Sequence, residues 1–289
     1  MSWYCGLLIT EIIERYHLMI ILKTEQEISM IREACRITAS IFTAVKPEIK
    51  AGISTYELDQ IVYQTIVSQN AIPAFLNYGD PPFPNSACIS LNEEVVHGIP
   101  KKNRYLKDGD IVSIDVGAEY NGYFGDACRT FLVGDVSPRR KELVEVTEQS
   151  FWKGIKQVKK GNRLGDIGHA VQTHCENHGF GVIRDLTGHG IGVNLHEDPN
   201  LLNYGRAGRG VRLEVGMVMC LEPMITEGSF QIQVMPDHWT IVTADRKAAA
   251  HYENTFAITE NGVEILTLTT SEREQYAEQL SKIENQGWA

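Results

Sequence analysis

Apolar residues recur at helical spacing in two segments near the start of the chain. The T-x-x-E sequence at residues 24–27 is a capping box, and apolar side chains follow it every three or four residues over 28–42. A second capping box at 54–57 precedes the same spacing over 58–66. The pattern therefore predicts two amphipathic helices in succession.

The pattern then changes to short strands, and the clearest pair spans residues 110–116 and 123–133. Asn121 and Gly122 lie between them and form the strongest short hairpin signal. If these two residues make the turn, the two strands pair with each other in an antiparallel hairpin.

Two aspartates fall on this hairpin. The predicted register puts Asp115 opposite Cys128, with Asp126 as a diagonal neighbour on the same face. Aspartates near hairpins are often turn caps. Asp115, however, interrupts an apolar run, where burying a carboxylate without a partner is costly. A cation between the two carboxylates would supply that partner.

The second part of the chain repeats the order of the first, with two helices followed by strands. This echo predicts an α+β fold with two similar halves whose functional residues meet in the middle. No shift in composition separates the halves, which favours a single domain. Helices are predicted over 142–158, 164–178 and from 271; further strands over 87–91, 95–96, 181–185, 217–221, 239–243, 252–258 and 265–267; and loops over 73–84 and 199–210.

Composition limits the kinds of molecule that the protein is expected to bind. A formal net charge of −10 argues against nucleic acid, including DNA, as the main ligand. Basic clusters such as Lys101, Lys102, Arg104 and Lys107 are typical of solvated faces, and the alternative is a surface that docks on ribosomal RNA. The six cysteines form no C-x-x-C pair, which argues against zinc fingers and thioredoxin-like motifs. With no recognisable secretory signal, a reduced, cytoplasmic compartment is the simpler expectation.

The first 22 residues are apolar but are interrupted by Glu11, Glu14 and Arg15. They fit neither a secretory signal nor a membrane span. Two interpretations stay open: an added amphipathic helix, or a chain whose natural start is Met19.

Five side chains with metal-binding chemistry stand in separate local motifs. One histidine with four carboxylates is a hard, oxygen-rich ligand set that suits two divalent ions and the activation of water. The histidine is flanked by glycines, and one glutamate ends an apolar strand just before a proline. The five residues are Asp115, Asp126, His189, Glu222 and Glu253.

These residues belong to a longer series of motifs that resembles type I methionine aminopeptidases in identity and order, over residues 23–267. The resemblance implies a pita-bread fold (creatinase/aminopeptidase-like), in which pseudo-twofold halves carry an antiparallel sheet covered by helices. The motifs are Cys88-Ile89-Ser90-Leu91-Asn92-Glu93, His97-Gly98-Ile99-Pro100, Asp108-Gly109-Asp110-Ile111-Val112, Asp115-Val116-Gly117, Gly125-Asp126, Gly188-His189-Gly190-Ile191-Gly192, His196-Glu197, Glu222-Pro223-Met224 and Tyr252-Glu253.

The resemblance also implies a role for each metal-binding residue. Asp115 would chelate one ion, Asp126 and Glu253 would bridge both, and His189 with Glu222 would complete the other site. Glu222 would also move a proton from water to the leaving amine.

The same resemblance implies the residues that meet the substrate. His97 and His196 would stand beside the metals and face it, His196 at the oxyanion and His97 near the leaving nitrogen. An apolar pocket with one thiol would receive the methionine side chain. Its residues would be Phe75, Tyr78, Phe83, Cys88, Leu195 and Trp239, and Leu195 stands where the family often has phenylalanine.

The activity implied is removal of the N-terminal methionine from nascent proteins and peptides. A small second residue would be preferred, and hydrolysis would use a bridging water or hydroxide activated by the metals. Two ions of Fe²⁺, Mn²⁺, Co²⁺ or Zn²⁺ would serve, with Na⁺ or K⁺ at the backbone around residues 92–94.

We expect a cytoplasmic monomer that contacts the ribosome transiently and has no membrane partner. Residues 1–22 would be an extension and 23–289 one catalytic domain.

Two rival functions remain. A proline-specific peptidase of the same fold would share the five ligands, but such enzymes usually carry a large N-terminal domain, and only 114 residues precede Asp115 here. A binding protein on the same fold that has no metal would be expected to lose ligands, whereas all five are present.

Overall fold

The computed structural model describes residues 19–288, so the two interpretations of the first 22 residues concern a segment that lies mostly outside the described part of the chain. Both predicted capping boxes are formed. The hydroxyls of Thr24 and Ser54 accept the backbone N–H of Glu27 and Glu57, whose carboxylates accept the N–H groups of the caps in return. The helices are α1 Glu25–Val45, α2 Thr55–Val67, α3 Pro138–Ile155, α4 Leu164–Asn177, α5 Thr270–Gln275 and α6 Ala277–Ile283, with a 3-10 turn at Lys46–Glu48.

The strands form one large sheet and two small ones, and each pairing in the described part of the chain is antiparallel. They are β1 Ile72–Pro73, β2 Ala87–Leu91, β3 Glu94–Val96, β4 Ile111–Tyr120, β5 Tyr123–Leu132, β6 Gly181–Val182, β7 Gly188–Gly190, β8 Glu197–Leu201, β9 Val218–Leu221, β10 Met224–Thr226, β11 Ile232–Val234, β12 Ile241–Thr243, β13 Ala249–His251, β14 Glu253–Thr259 and β15 Gly262–Ile265.

The nine-stranded sheet runs through both parts of the chain in the order β1-β4-β5-β14-β9-β7-β8, with β2 beside β4 and β15 beside β14. Helices α1 and α2 cover β2, β4 and β5 with a core that includes Ile37, Val62 and Ile114. Helices α3 and α4 cover β9 and β14 with a core that includes Phe151 and Phe256. The predicted α+β arrangement of two helix-covered halves is therefore confirmed.

A glycine brings helix α1 directly onto strand β5. A Cβ atom on Gly125 would lie 2.7 Å from the Cα atom of Cys35, and the Thr38 hydroxyl donates a hydrogen bond of 3.1 Å to the Gly125 carbonyl. Asp126 follows at once along the strand. Helix packing therefore fixes the backbone from which one candidate ligand projects.

Some predicted boundaries differ from the structure, and two of the differences arise from pairing with a distant strand. The predicted loop over 199–210 begins as strand, because β8 pairs with β7 and buries Pro199 and Leu201 on one side. The predicted strand over 252–258 belongs to a segment that changes partners after His251, where β13 pairs with β10 and β14 with β5 and β9. The C-terminal helix is interrupted at Tyr276.

Among the described residues, no helix is both long and apolar enough to cross a membrane.

Candidate metal centre

The β4–β5 hairpin has the predicted register. Asp115 pairs with Cys128, and Asp126 pairs with Gly117, two positions along β4 from Asp115. Side chains two positions apart on a strand share a face, so both aspartates point to the same side of the sheet. The Asn121-Gly122 turn, which carries two positive φ angles, sets this register.

The two glutamates come from neighbouring strands on the other side of β5. Glu253, at the start of β14, pairs with Cys128. Glu222 directly follows Leu221 of β9, whose partner Asn254 is the residue after Glu253. Carboxylates from β5, β14 and the end of β9 therefore meet where the two halves of the sheet join.

His189 enters the same place from β7. Its flanking glycines are required by close backbone packing, because a Cβ on Gly188 would lie 2.3 Å from the Cys220 carbonyl oxygen and one on Gly190 2.4 Å from that of Asp198. The His189 Nδ1 donates to the Gly190 carbonyl oxygen at 2.9 Å. This hydrogen bond leaves the Nε2 lone pair free to bind a metal ion.

The distances around His189 fit a shared cation. Its Nε2 lies 3.8 Å from Asp126 Oδ2 and 3.6 Å from Glu222 Oε1. A lone pair facing two carboxylates is repulsive unless a positive ion lies between them. Buried carboxylate oxygens without a hydrogen-bond partner among the described residues point the same way, and they are Asp115 Oδ1, Asp126 Oδ1 and Glu253 Oε1.

The electrostatics of the carboxyls reflect this crowding. Burial raises the pKa of Asp126 to about 7. Burial and repulsion by neighbouring carboxylates raise the pKa of Asp115, Glu222 and Glu253 well above their ordinary values. A bound divalent cation would reverse this penalty, because it stabilises the ionised form of each group.

Burial has the opposite effect on the histidines. It lowers the pKa of His189 to about 3 and that of His97 to about 4, and it also lowers the pKa of His196. The three imidazoles are therefore neutral near pH 7, the form that binds metals and exchanges hydrogen bonds with a substrate.

One cavity of about 140 Å³ joins the ligand cluster to an aromatic pocket. The structure brings all thirteen sequence-predicted site residues around it. They are the ligands Asp115, Asp126, His189, Glu222 and Glu253, the histidines His97 and His196, and the pocket residues Phe75, Tyr78, Phe83, Cys88, Leu195 and Trp239.

Aromatic contacts hold the pocket and its histidines in place. Trp239 meets Phe83 edge-on at 5.2 Å and His97 edge-on at 5.8 Å between ring centroids. The Tyr78 hydroxyl hydrogen-bonds His196 Nδ1 at 2.7 Å. His97 itself has a positive φ of 58°, a backbone conformation that non-glycine residues adopt mainly at constrained sites.

Sequence reasoning missed two residues at the centre. Cys220 places a ligand-type atom within 4.8 Å of those of Asp126, His189 and Glu253. His251 Nε2 lies 3.5 Å from Glu222 Oε2. Cys220 stands two residues before Glu222, so strand periodicity could have found it. No comparable signal existed for His251, because a change of strand partners separates it from Glu253.

A buried histidine among four carboxylates that line a shared cavity has the donor chemistry of a metal-dependent hydrolase. The sequence profile described as "Metallopeptidase family M24" matches residues 29–260. The chain therefore belongs to metallopeptidase family M24, and membership implies divalent metal binding, for which this cluster offers suitable ligands.

Within that family the similarity is to methionine aminopeptidases, as the motifs predict. Methionine aminopeptidase 1 of Bacillus subtilis is 51% identical over 249 residues, which cover 86% of this chain and 99% of the relative. The crystal structure of methionine aminopeptidase from Thermotoga maritima matches with a TM-score of 0.84 and 45% identity, covering 87% of this chain and all of that one. The pita-bread fold is thereby confirmed.

Proline peptidases share the fold at a greater distance. The prolidase from Pyrococcus furiosus matches with a TM-score of 0.66 and 25% identity, and the matched region covers 86% of this chain but only 66% of that one.

Proposed function

We propose that this chain removes the N-terminal methionine from nascent proteins and peptides, with preference for a small second residue. One observation carries the proposal: the ligand cluster and an aromatic, thiol-containing pocket open into the same cavity of about 140 Å³. The reacting centre and the receptor for a thioether side chain are therefore adjacent. The methionine aminopeptidases that match over nearly their whole length support the same activity.

The five ligand residues would hold two divalent ions. Asp126 and Glu253 would bridge the ions, Asp115 would bind one, and His189 with Glu222 the other. Such a pair lowers the pKa of water and polarises a carbonyl group. Fe²⁺, Mn²⁺, Co²⁺ and Zn²⁺ all suit this oxygen-rich set.

The remaining steps belong to protein side chains. Glu222 would receive a proton from the attacking water and deliver it to the leaving amine, because it lines the cavity beside the proposed metal ions. His196, oriented by its hydrogen bond to Tyr78, donates to the oxyanion. His97 stands near the leaving nitrogen, held against Trp239.

The pocket selects the first residue of the substrate. Phe83 and Trp239 form its aromatic wall, and Leu195 and Cys88 are buried beside them. None of these four side chains carries a charge that could pair with a lysine or a carboxylate. A flexible thioether fills such a space better than a branched or charged side chain.

The test is release of free methionine from Met-Ala-Ser by metal-stripped protein, with and without added Mn²⁺ or Co²⁺. Metal-dependent release supports the proposal, and a Lys-Ala-Ser peptide is the matched control for the pocket. Cleavage of an Xaa-Pro peptide in preference to Met-Ala-Ser would support the prolidase-like alternative instead. Cleavage of neither peptide with any metal would contradict both.

Further expectations extend this function. Na⁺ or K⁺ would bind the backbone around residues 92–94, where the carbonyls of Asn92 and Glu93 each accept one backbone hydrogen bond and keep a second lone pair. A higher melting temperature in NaCl or KCl than in choline chloride would support this site.

The cytoplasmic location, the monomeric state, the transient ribosome contact and the single domain over residues 23–289 remain predictions.

A further inference from the structure

His251, at the end of β13, is a buried histidine with no role in the chemistry described above. Its side chain is 2% exposed, and its Nε2 has no hydrogen-bond partner among the described residues. The backbone around it is held firmly, since its N–H donates to Thr130 Oγ1 at 3.0 Å and its carbonyl accepts from the same hydroxyl at 2.8 Å. The ring is therefore fixed in place with an unused polar atom.

That atom points at two of the metal ligands. His251 Nε2 lies 3.5 Å from Glu222 Oε2 and 4.0 Å from Glu253 Oε2. The other Glu222 oxygen, Oε1, lies 3.6 Å from Nε2 of His189. Glu222 thus stands between two histidines, with one carboxylate oxygen toward each.

The hydrogen-bonding surroundings of the two histidines predict opposite roles for their Nε2 atoms, an acceptor in His189 and a donor in His251. His189 donates from Nδ1 to a carbonyl, so its Nε2 carries the lone pair. His251 Nε2 faces oxygens of Glu222 and Glu253, which are ionised once metal is bound, and a lone pair on Nε2 would then be repelled by both. The proton of the neutral His251 ring therefore belongs on Nε2, which makes this atom a donor and not a metal ligand.

The residues that line two separate cavities also distinguish the role of His189 from that of His251. Glu222 and His189 line the metal cavity, whereas His251 is not among its lining residues. His251 instead lines a second cavity, of about 490 Å³, between α1, α3 and α5. It therefore reaches Glu222 from the side of the carboxylate that faces away from the metal cavity.

We propose that His251 is a positioning residue that donates Nε2–H to Glu222 Oε2 and thereby keeps Oε1 directed at the metal. A separation of 3.5 Å is at the outer limit of a hydrogen bond, so this donation requires a small rotation of the Glu222 carboxylate toward His251. Without the donor, Glu222 would lose a fixed orientation before the metal arrives. The inference rests on the proposed metal site but not on the identity of the peptide substrate.

The test is titration of metal-stripped protein with Mn²⁺, followed by calorimetry, in a set of matched variants. His251→Gln places an amide N–H where the imidazole Nε2–H lies, whereas the shorter side chain of His251→Asn places it at the position of Nδ1. We expect His251→Asn and His251→Leu to bind Mn²⁺ about 10- to 100-fold more weakly than the parent. His251→Gln should bind within about threefold of the parent, because it restores the donor.

The control is His174→Leu, which removes another histidine with a buried, unpartnered Nε2, on α4 and away from the metal cavity. It should leave the Mn²⁺ affinity unchanged. Equal affinity in the parent, His251→Asn and His251→Gln, with normal circular dichroism, would overturn the inference. So would equal weakening in the Asn and Gln variants, which would indicate packing and not donation. Absence of Mn²⁺ binding by the parent would overturn it as well.

Failure of the proposed aminopeptidase activity would give a different experimental result from failure of the His251 inference. Tight Mn²⁺ binding by the parent without release of methionine from Met-Ala-Ser would contradict the aminopeptidase and leave the His251 comparison fully measurable.

Discussion

Asp126 is the residue at which the two ligand-bearing parts of the sheet meet. Its strand pairs with β4 on one side and with β14 on the other, and its backbone N–H donates to Thr255 of β14 at 3.2 Å. We expect Asp126→Asn to lose more than about 100-fold in methionine release at saturating Mn²⁺, because a neutral amide cannot bridge two cations. Turnover at the parent rate would contradict a dinuclear site.

The same substitution has its own control for folding. It removes one of four crowded carboxylates while keeping the shape of the side chain, so repulsion in the metal-free site decreases. The free energy of unfolding of the metal-free variant, measured in urea, should therefore equal or exceed that of the parent. Loss of activity combined with lower stability would indicate a folding defect instead.

His196 provides a contrast, since it contacts the cavity without being one of the proposed ligands. His196→Ala should keep the Mn²⁺ affinity of the parent and lower kcat by about 10²- to 10⁴-fold, the range typical of a lost proton-transfer or oxyanion group. Tyr78→Phe is the matched variant, because it removes only the hydrogen bond to His196 Nδ1. Its kcat should fall less than that of His196→Ala. Weaker Mn²⁺ binding in His196→Ala would make His196 a ligand.

At the scale of elements, a buried ion pair fastens the segment before α1 to strand β8. Lys23 Nζ lies 2.5 Å from Glu197 Oε2, and the two side chains are only 2% and 5% exposed. Removal of one partner from a buried pair leaves an uncompensated charge, which costs about 3–5 kcal/mol. We therefore expect Lys23→Met to lower the free energy of unfolding by about that amount, as measured by urea denaturation.

The exposed pair between Lys282 and Glu278 is the matched control. It is an i,i+4 pair on α6 with both side chains largely in solvent. Solvent and salt screen such pairs, so Lys282→Met should leave the free energy of unfolding unchanged within error. Equal effects of the two lysine substitutions would show that burial of the Lys23 pair contributes nothing to stability.

Contacts between elements also show which structural features the sequence could predict and which it could not. The Asn121-Gly122 turn and the alternation along β4 and β5 are local signals, and they were enough to give the pairing of Asp115 with Cys128. The apposition of Lys23 and Glu197 joins residues far apart in the chain, and no local pattern encodes it. The five ligand residues were singled out by their chemistry and local motifs, whereas their individual roles and the other eight residues around the cavity were reached through family motifs.

At the scale of the whole molecule, the metal site lies at the junction of the two halves. Asp115 and Asp126 project from strands covered by α1 and α2, while Glu253 and the end of β9 belong to strands covered by α3 and α4. A ligand that binds the folded state but not the unfolded chain stabilises it by RT ln(1 + [L]/Kd). Metal binding at this junction should therefore stabilise both halves together, with a single unfolding transition that moves to higher urea as Mn²⁺ rises.

The pH dependence of the metal-free protein follows from two opposing groups of residues. Burial lowers the pKa of His97, His189 and His251, so their contribution to stability rises with pH until the unfolded histidines are neutral, near pH 6.5. Burial raises the pKa of the carboxyls, so their contribution falls as pH rises from the unfolded value toward the folded one. For Asp126, whose folded pKa is about 7, the slope of this fall has halved by pH 7 and vanishes near pH 8.

Between pH 7 and 8 the carboxyls whose pKa is raised well above its ordinary value supply most of the protons lost on unfolding, and Asp126 supplies a declining share. The former are Asp115, Glu222 and Glu253. Each one protonated only in the folded state lowers the free energy of unfolding by up to about 1.4 kcal/mol per pH unit. We expect the metal-free protein to become less stable from pH 7 to 8 and this slope to vanish with saturating Mn²⁺, because the metal replaces those protons. The window stops there because the buried thiols of Cys88, Cys128 and Cys220, whose pKa is also raised, begin to titrate in the unfolded chain near pH 8.5 and would add a decline that metal does not remove. A urea midpoint that stays level or rises between pH 7 and 8 without metal would mean that the carboxyls are already ionised in the folded protein, and the electrostatic case for a cation between them would fail.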